Sequence, residues 1–417
     1  MSVKLDAAIV STGTKFRVYP QPKFLPSFSV PETIRVSLPP NQISAGPADN
    51  RMFVIDAINK TPYDVGEGPP YNGPANPPVA AGPNGHFDHL QAGTRAFSAA
   101  HMYAVVRRVL DIWQDYFGDI IPWHFAPTFA RMLLIPRVRW NNAQSGFGFL
   151  EFGFASLPSG AIDQSSPYCE NFDVLAHEVG HSIAFSQVGI PNRTTNTEEY
   201  GGFQESAGDL VAILASLHFP SVINHLLDNT HGNLFTANEL ERVGELSTSD
   251  QIRSAFNDLR MSDIIPRGNP PRREPHELSE PLTGATFDIL VEVFQKELVS
   301  RGLITQDLAD RSFHDGNTLQ DNEAIQQEFD AAYVDPKKSA FANALEAARD
   351  YLGQLIAKTW STLSPHFLSY AGIAQKMLAA DHALTGGMHQ ETIRSSFVWR
   401  QISGLTNLIA ATPHRYV

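Results

Sequence analysis

Apolar residues recur along this chain in two different periods, and the change from one to the other falls near residue 172. Before it, short β-branched and aromatic runs alternate with prolines, as in "KFRVYPQP", "ETIRVSLPP" and "NRMFVIDAI", which predicts strands separated by turns. The stretch "GEGPPYNGPANPPVAAGPNGHFD" holds too many Pro and Gly for a regular element and is expected to be an extended surface loop. From Arg95 to Phe117 the period becomes helical. Phe97, Met102, Val105, Val106, Val109, Leu110, Trp113 and Phe117 share a broad apolar face, which predicts a core helix. "MLLIPRVRWNNAQSGFGFLEFGFA" returns to strand character. After Asp173 the pattern is mostly helical, over 203–218, 284–301, 340–362, 366–381 and 390–409, with the Pro/Arg cluster "IPRGNPPRREPHELSEP" interrupting it. No internal repeat is visible. The expected fold class is α+β, with a β-rich N-terminal domain over 1–172 and an α-helical C-terminal domain over 173–417.

One helical segment breaks its own apolar pattern. "FDVLAHEVGHSIAFSQVG" carries two histidines and a glutamate among Val174, Leu175, Val179 and Ile183. If residues 173–187 form a helix, His177 and His181 lie one turn apart on one face, close enough to grip a single ion. Glu178 sits on the neighbouring face, able to reach a water on that ion without being a ligand. H-E-x-x-H on a helix is the pattern in which histidines bind Zn²⁺ and the glutamate is the general base. A metal makes polar groups on a core-facing segment worth burying.

A catalytic zinc takes a third protein ligand and keeps one position open. Downstream, "EEYGGFQESAGDLVAILA" predicts a second amphipathic helix beginning near Phe203, with Glu205 and Asp209 four apart. Glu205 would complete a His₂Glu set, and Asp209 could accept the free N–H of a ligand histidine, the outer contact such ligands need. Other histidines, His86, His89, His101, His231 and His314, have no ligand-like spacing and receive no role.

Composition narrows the partners. Lys and Arg number 31 against 44 Asp and Glu, a formal net charge of −13, which argues against a nucleic-acid binder. The N-terminal apolar run is only Ala7–Val10, and no apolar segment is long enough to cross a bilayer, so neither a cleaved signal nor a membrane span is expected. The single Cys169 reads as a small packed hydrophobe.

These motifs resemble the thermolysin-like zinc metallopeptidases. "DVLAHEVGH", with its leading Asp173, is similar to the family's zinc helix, and "EYGGFQESAGD" to its third-ligand segment. "AAHMYAVVRRVLDIWQDYF" resembles the long N-domain helix and "WNNAQSGFGFLEFG" the edge strand that pairs with extended substrate; "LRMSD", "HELS", "LGQLIAKTW" and "HQETIRSSFVWRQI" follow in the family's order. The resemblance spans about residues 50 to 410. It implies a two-domain fold with the zinc site in the cleft, His177, His181 and Glu205 as zinc ligands and Glu178 as base. It further implies that Asp209 orients a ligand histidine, with Asp173 as a second outer-shell acid. His276 would donate to the oxyanion, Arg260 would contact a substrate carbonyl, and Asn142 with Ala143 would pair with substrate backbone.

The sequence departs from that family in three places. The oxyanion tyrosine has no clean counterpart, leaving Tyr200 as the candidate in a longer loop. The acid expected before His276 is replaced by Pro271, with Glu274 as a stand-in. The acidic ligands of the family's paired calcium site are missing after Asp209, so no such pair is expected. The activity implied is zinc-dependent hydrolysis of peptide or protein substrates. The alternatives are a degenerate member that serves as a zinc-containing binding module, and a metallohydrolase of a non-peptide amide.

Overall fold

The computed structural model describes residues 11–235, 242–243, 253–255, 257–312 and 318–402. β1 (Thr14–Val18) and β2 (Glu32–Val36) pair antiparallel. β3 (Met52–Val54), β4 (Met132–Ile135), β5 (Ala143–Gly146) and β6 (Phe149–Phe152) form a four-stranded sheet in the order β3-β4-β6-β5. β4 runs parallel to β3 and β6, whereas β5 turns back antiparallel to β6 and forms an edge. β7 (Phe154–Ser156) and β8 (Ile162–Pro167) make a ribbon, and β9 (Arg242–Val243) pairs with β10 (Arg253–Ser254). The proline-rich stretch after β3 holds no strand or helix. The segment leading into it is tied to the sheet by the buried Lys60–Glu151 pair at 2.6 Å, and Tyr63 N–H donates to the same carboxylate.

α1 (Arg95–Phe117) starts where the Thr94 side chain accepts from the Phe97 N–H and stops at Gly118, whose φ of 72° suits a residue without Cβ. It is buried on almost every side, as a helix apolar all round must be. Trp113 stacks on Trp360 with ring centroids 5.4 Å apart. α2 (Phe172–Val188) is capped by Asn171, which accepts from the Asp173 and Val174 N–H groups. α3 (Glu198–Ser216) begins five residues earlier than the apolar period indicates, because the Thr197 side chain accepts from Tyr200 N–H and completes a cap. α4 (Pro220–Thr230) follows.

α5 (Pro275–Ser300) corrects the expectation that the Pro/Arg cluster interrupts the helices up to Pro281. Pro275 sits at the first turn, where its missing N–H is harmless, and the Glu274 side chain caps by accepting from Glu277 N–H. Pro281 lies inside the helix with its ring buried and forgoes one helical bond. α6 (Gln306–Ser312), α7 (Leu319–Ala332), α8 (Lys338–Trp360), α9 (Tyr370–Thr385) and α10 (Gln390–Trp399) complete the described helices. Of the helix expected over 390–409, the part beyond residue 402 lies outside the described residues.

One hydrophobic cluster runs from Phe16 to Ile402, so the β-rich and α-rich parts share a core. α2 lies in it between α1 and α3, and Leu175, Val179 and Ile183 are fully buried. Burying each such side chain stabilises by about 1.5–3 kcal/mol, which anchors the face opposite the histidines. No single described helix is long and apolar enough to cross a membrane.

Candidate metal centre

His177 and His181 project from successive turns of α2, with ring centroids 4.6 Å apart and ring planes at 87°. The His177 side chain is 5 % exposed, and its Nδ1 lies 2.9 Å from Asp209 Oδ1 on α3. A buried carboxylate at Nδ1 holds the proton there and turns the Nε2 lone pair outward. That Nε2 is 3.5 Å from Glu205 Oε2, and His181 Nε2 is 4.0 Å from the same oxygen. Of the two histidines that Asp209 could orient, the hydrogen bond goes to His177.

Two glycines make this meeting of helices possible. A Cβ on Gly208 would stand 2.5 Å from His177 Nδ1, and a Cβ on Gly180 would stand 2.9 Å from the Cα of Gly208. Both are closer than real Cβ atoms come, so α2 and α3 cross where neither carries a side chain. Glu205 and Asp209 flank Gly208 and therefore reach His177 from one close-packed face. The apolar period that marks both helices carries no trace of this requirement.

The donors suit a metal ion. Two imidazole nitrogens and a carboxylate are the ligand types of catalytic zinc sites. Zinc-like bonds of about 2.0–2.1 Å in a tetrahedron set ligand atoms about 3.4 Å apart, close to the 3.5 and 4.0 Å separations from Glu205 Oε2. Ligand atoms of His177, Glu178 and His181 also lie within 4.8 Å of one another. The imidazole pair therefore has two carboxylates near it: Glu205 from α3, and Glu178 from its own helix.

His276, in the first turn of α5, joins the cluster. Its Nε2 is 3.4 Å from Glu205 Oε2, and its Nδ1 is 2.5 Å from Glu274 Oε1. Glu274, the stand-in acid, thus both caps α5 and holds the ring of His276. β5 runs beside α2, where Ser145 Oγ and Ser182 Oγ are 3.0 Å apart. The Asn142 carbonyl accepts from Gly153 N–H at 2.8 Å, so the next amide, Ala143 N–H, points away from β6 to the open edge. There it donates to Asn142's own Oδ1 at 2.9 Å.

Three residues picked out in the sequence are engaged elsewhere. Tyr200 is buried; its hydroxyl donates to the Gly189 carbonyl at 2.7 Å and accepts from Gln204 Nε2 at 3.1 Å. Burial raises its pKa further above the usual phenol range. In this structure the proton it would offer an oxyanion is committed to the Gly189 carbonyl. Arg260 lays its guanidinium over the Trp399 ring at 4.7 Å, and its backbone N–H donates to Asp263. Asp173 accepts from Gln21 Nε2 at 3.4 Å in the first turn of α2, a full turn before His177.

No family model matches the chain, and no curated protein matches it. Among solved structures it is similar to the precursor of protealysin, a metalloproteinase from Serratia proteamaculans, at 13% identity and a TM-score of 0.42, covering 84% of this chain and 86% of that one.

Proposed function

We propose that this protein is a zinc-dependent endopeptidase, with His177, His181 and Glu205 as ligands and Glu178 as general base. The observation that carries the reading is the convergence of His177 Nε2 and His181 Nε2 on Glu205 Oε2, with Asp209 fixing the far side of His177. When bound, zinc supplies Lewis acidity, lowering the pKa of a coordinated water to about 7 and polarising the scissile carbonyl.

The chain's own residues handle protons and orientation. The Glu178 carboxylate takes a proton from the attacking water and passes it to the leaving amine nitrogen. His276 stands with carboxylates at both ring nitrogens; its Nε2 donates to the developing oxyanion while Glu274 holds Nδ1. An extended substrate lies along β5 and pairs with the outward Ala143 N–H, displacing the Asn142 carboxamide. The side-by-side position of β5 and α2 supports a peptide over other amides, because only a chain with a repeating backbone exploits a strand edge.

Glu178→Gln tests this. The variant should keep its metal and lose about 10³-fold or more in peptide turnover, measured by metal analysis and hydrolysis of a mixed peptide library with and without chelator. Undiminished cleavage would remove Glu178 from the mechanism.

A further inference from the structure

Next to the metal centre lies an open cavity of about 890 Å³ between the loop before α3 and the turn before α5. Arg193, Arg267, Arg272 and Arg273 line it, against Glu198 and Glu274. Glu274 connects the two sites, since the same carboxylate holds His276 Nδ1. On a chain of formal net charge −13, four guanidinium groups around one opening reverse the local sign.

The arginines are not all neutralised. Arg267 pairs with Glu277 at 2.7 Å, and Arg273 approaches Glu198 at 4.0 Å while donating to the Ile264 carbonyl at 3.3 Å. Among the described residues, Arg193 and Arg272 form no ion pair. Arg267 and Arg272 also face each other across an antiparallel bridge, with reciprocal backbone bonds of 2.7 and 2.8 Å, and the chain reverses between them at Gly268, φ 87°. Like charges directly opposite across such a bridge are destabilising. Arg267 has Glu277 to offset this, whereas Arg272 lines the cavity with no ion pair among the described residues.

We propose that this cavity binds a carboxylate of the substrate, with Arg193 and Arg272 as its specificity-determining residues, so that the site selects peptides bearing an acidic residue or a free C-terminus beside the cleaved bond. The proposal takes its substrate class from the peptidase reading above. Guanidinium forks match a carboxylate in bidentate fashion, which a neutral carboxamide cannot reproduce.

The test uses quenched peptides in which one Glu is moved through successive positions, a matched Gln series, and both series with free or amidated C-termini. The expected result is a preference for the Glu series of about tenfold in kcat/KM, expressed in KM, as one strong charge-assisted contact provides. Preference for free over amidated ends would instead assign the carboxylate to the chain terminus. Arg193→Gln with Arg272→Gln should abolish the preference and leave cleavage of the amidated Gln series unchanged. Equal kcat/KM for all series, or a preference that survives the double variant, would overturn the proposal. Fluorescence anisotropy of the same peptides, labelled, on the Glu178→Gln variant separates the two readings. A tenfold difference in Kd without any cleavage by the wild-type protein would keep the carboxylate site and sink the peptidase reading. Equal Kd values would sink the carboxylate site alone.

Discussion

Two regions of the core each bury a histidine, and they bury it differently. His101 on α1 is fully buried with both ring nitrogens held by backbone: Nε2 accepts from Tyr19 N–H at 3.0 Å, and Nδ1 donates to the Cys169 carbonyl at 2.9 Å. His177 on α2 is almost as buried, yet one nitrogen meets a carboxylate and the other faces Glu205 beside His181. The first arrangement finishes a fold. The second leaves a lone pair aimed at a carboxylate and beside a second imidazole. Burial alone does not distinguish the two histidines; the direction of the second nitrogen does.

The sharpest way to break this contrast is to push the helices apart at one site and not the other. Gly208→Ala drives a methyl group into the His177 ring and leaves His101 untouched. It should reduce retained zinc to less than about a tenth of wild type, with overpacking costing about 1–3 kcal/mol of stability. Metal analysis after dialysis and urea unfolding would check both; full metal retention would mean that the close crossing is not needed. His276→Ala should come next, lowering kcat by about 10²- to 10³-fold with zinc content unchanged. An unaltered kcat would assign the oxyanion to another donor.

The structural histidine makes its own prediction. Burial pushes the pKa of His101 down to about 4, with nearby Glu170 opposing the shift. The folded state therefore favours neutral imidazole, and the unfolded chain binds the extra proton first as pH falls. Stability from this group is complete above pH 6.5 and is lost between about 6.5 and 4, by about 3 kcal/mol in all. Urea unfolding of wild type and His101→Gln across that range should show the steeper loss in wild type; parallel profiles would contradict the assignment. The smallest effect is expected for Asp209→Asn, about 10- to 100-fold in zinc affinity by competition with a chromogenic chelator, because it keeps a hydrogen-bond partner at Nδ1 but removes the charge.

Much of the candidate site was legible because its candidate ligands obey helical spacing. The period over Arg95–Phe117 matches α1 residue for residue, and the expected 173–187 helix is observed over Phe172–Val188. His177 and His181 share a helix, so their spacing is itself geometry. Helix starts were less visible: Thr197 and Glu274 act as caps through side-chain bonds that an apolar period does not register, and Pro275 reads as a breaker until its place in the first turn is known. Contacts between helices left no periodic mark at all. Gly180 and Gly208 are ordinary small residues in sequence, Tyr200 has its hydroxyl turned to Gly189, and the arginines of the cavity come from two segments far apart in sequence. The run containing Arg272 and Arg273 reads as a solvated loop when taken alone.

The central claim is that α2 and α3 together hold one divalent ion. Anomalous diffraction at the zinc absorption edge from crystals of the zinc-loaded protein tests it most directly. The account predicts one strong peak about 2.0–2.2 Å from His177 Nε2, His181 Nε2 and a Glu205 oxygen. A peak bound elsewhere, or these three side chains turned from one another with no peak between them, would contradict it.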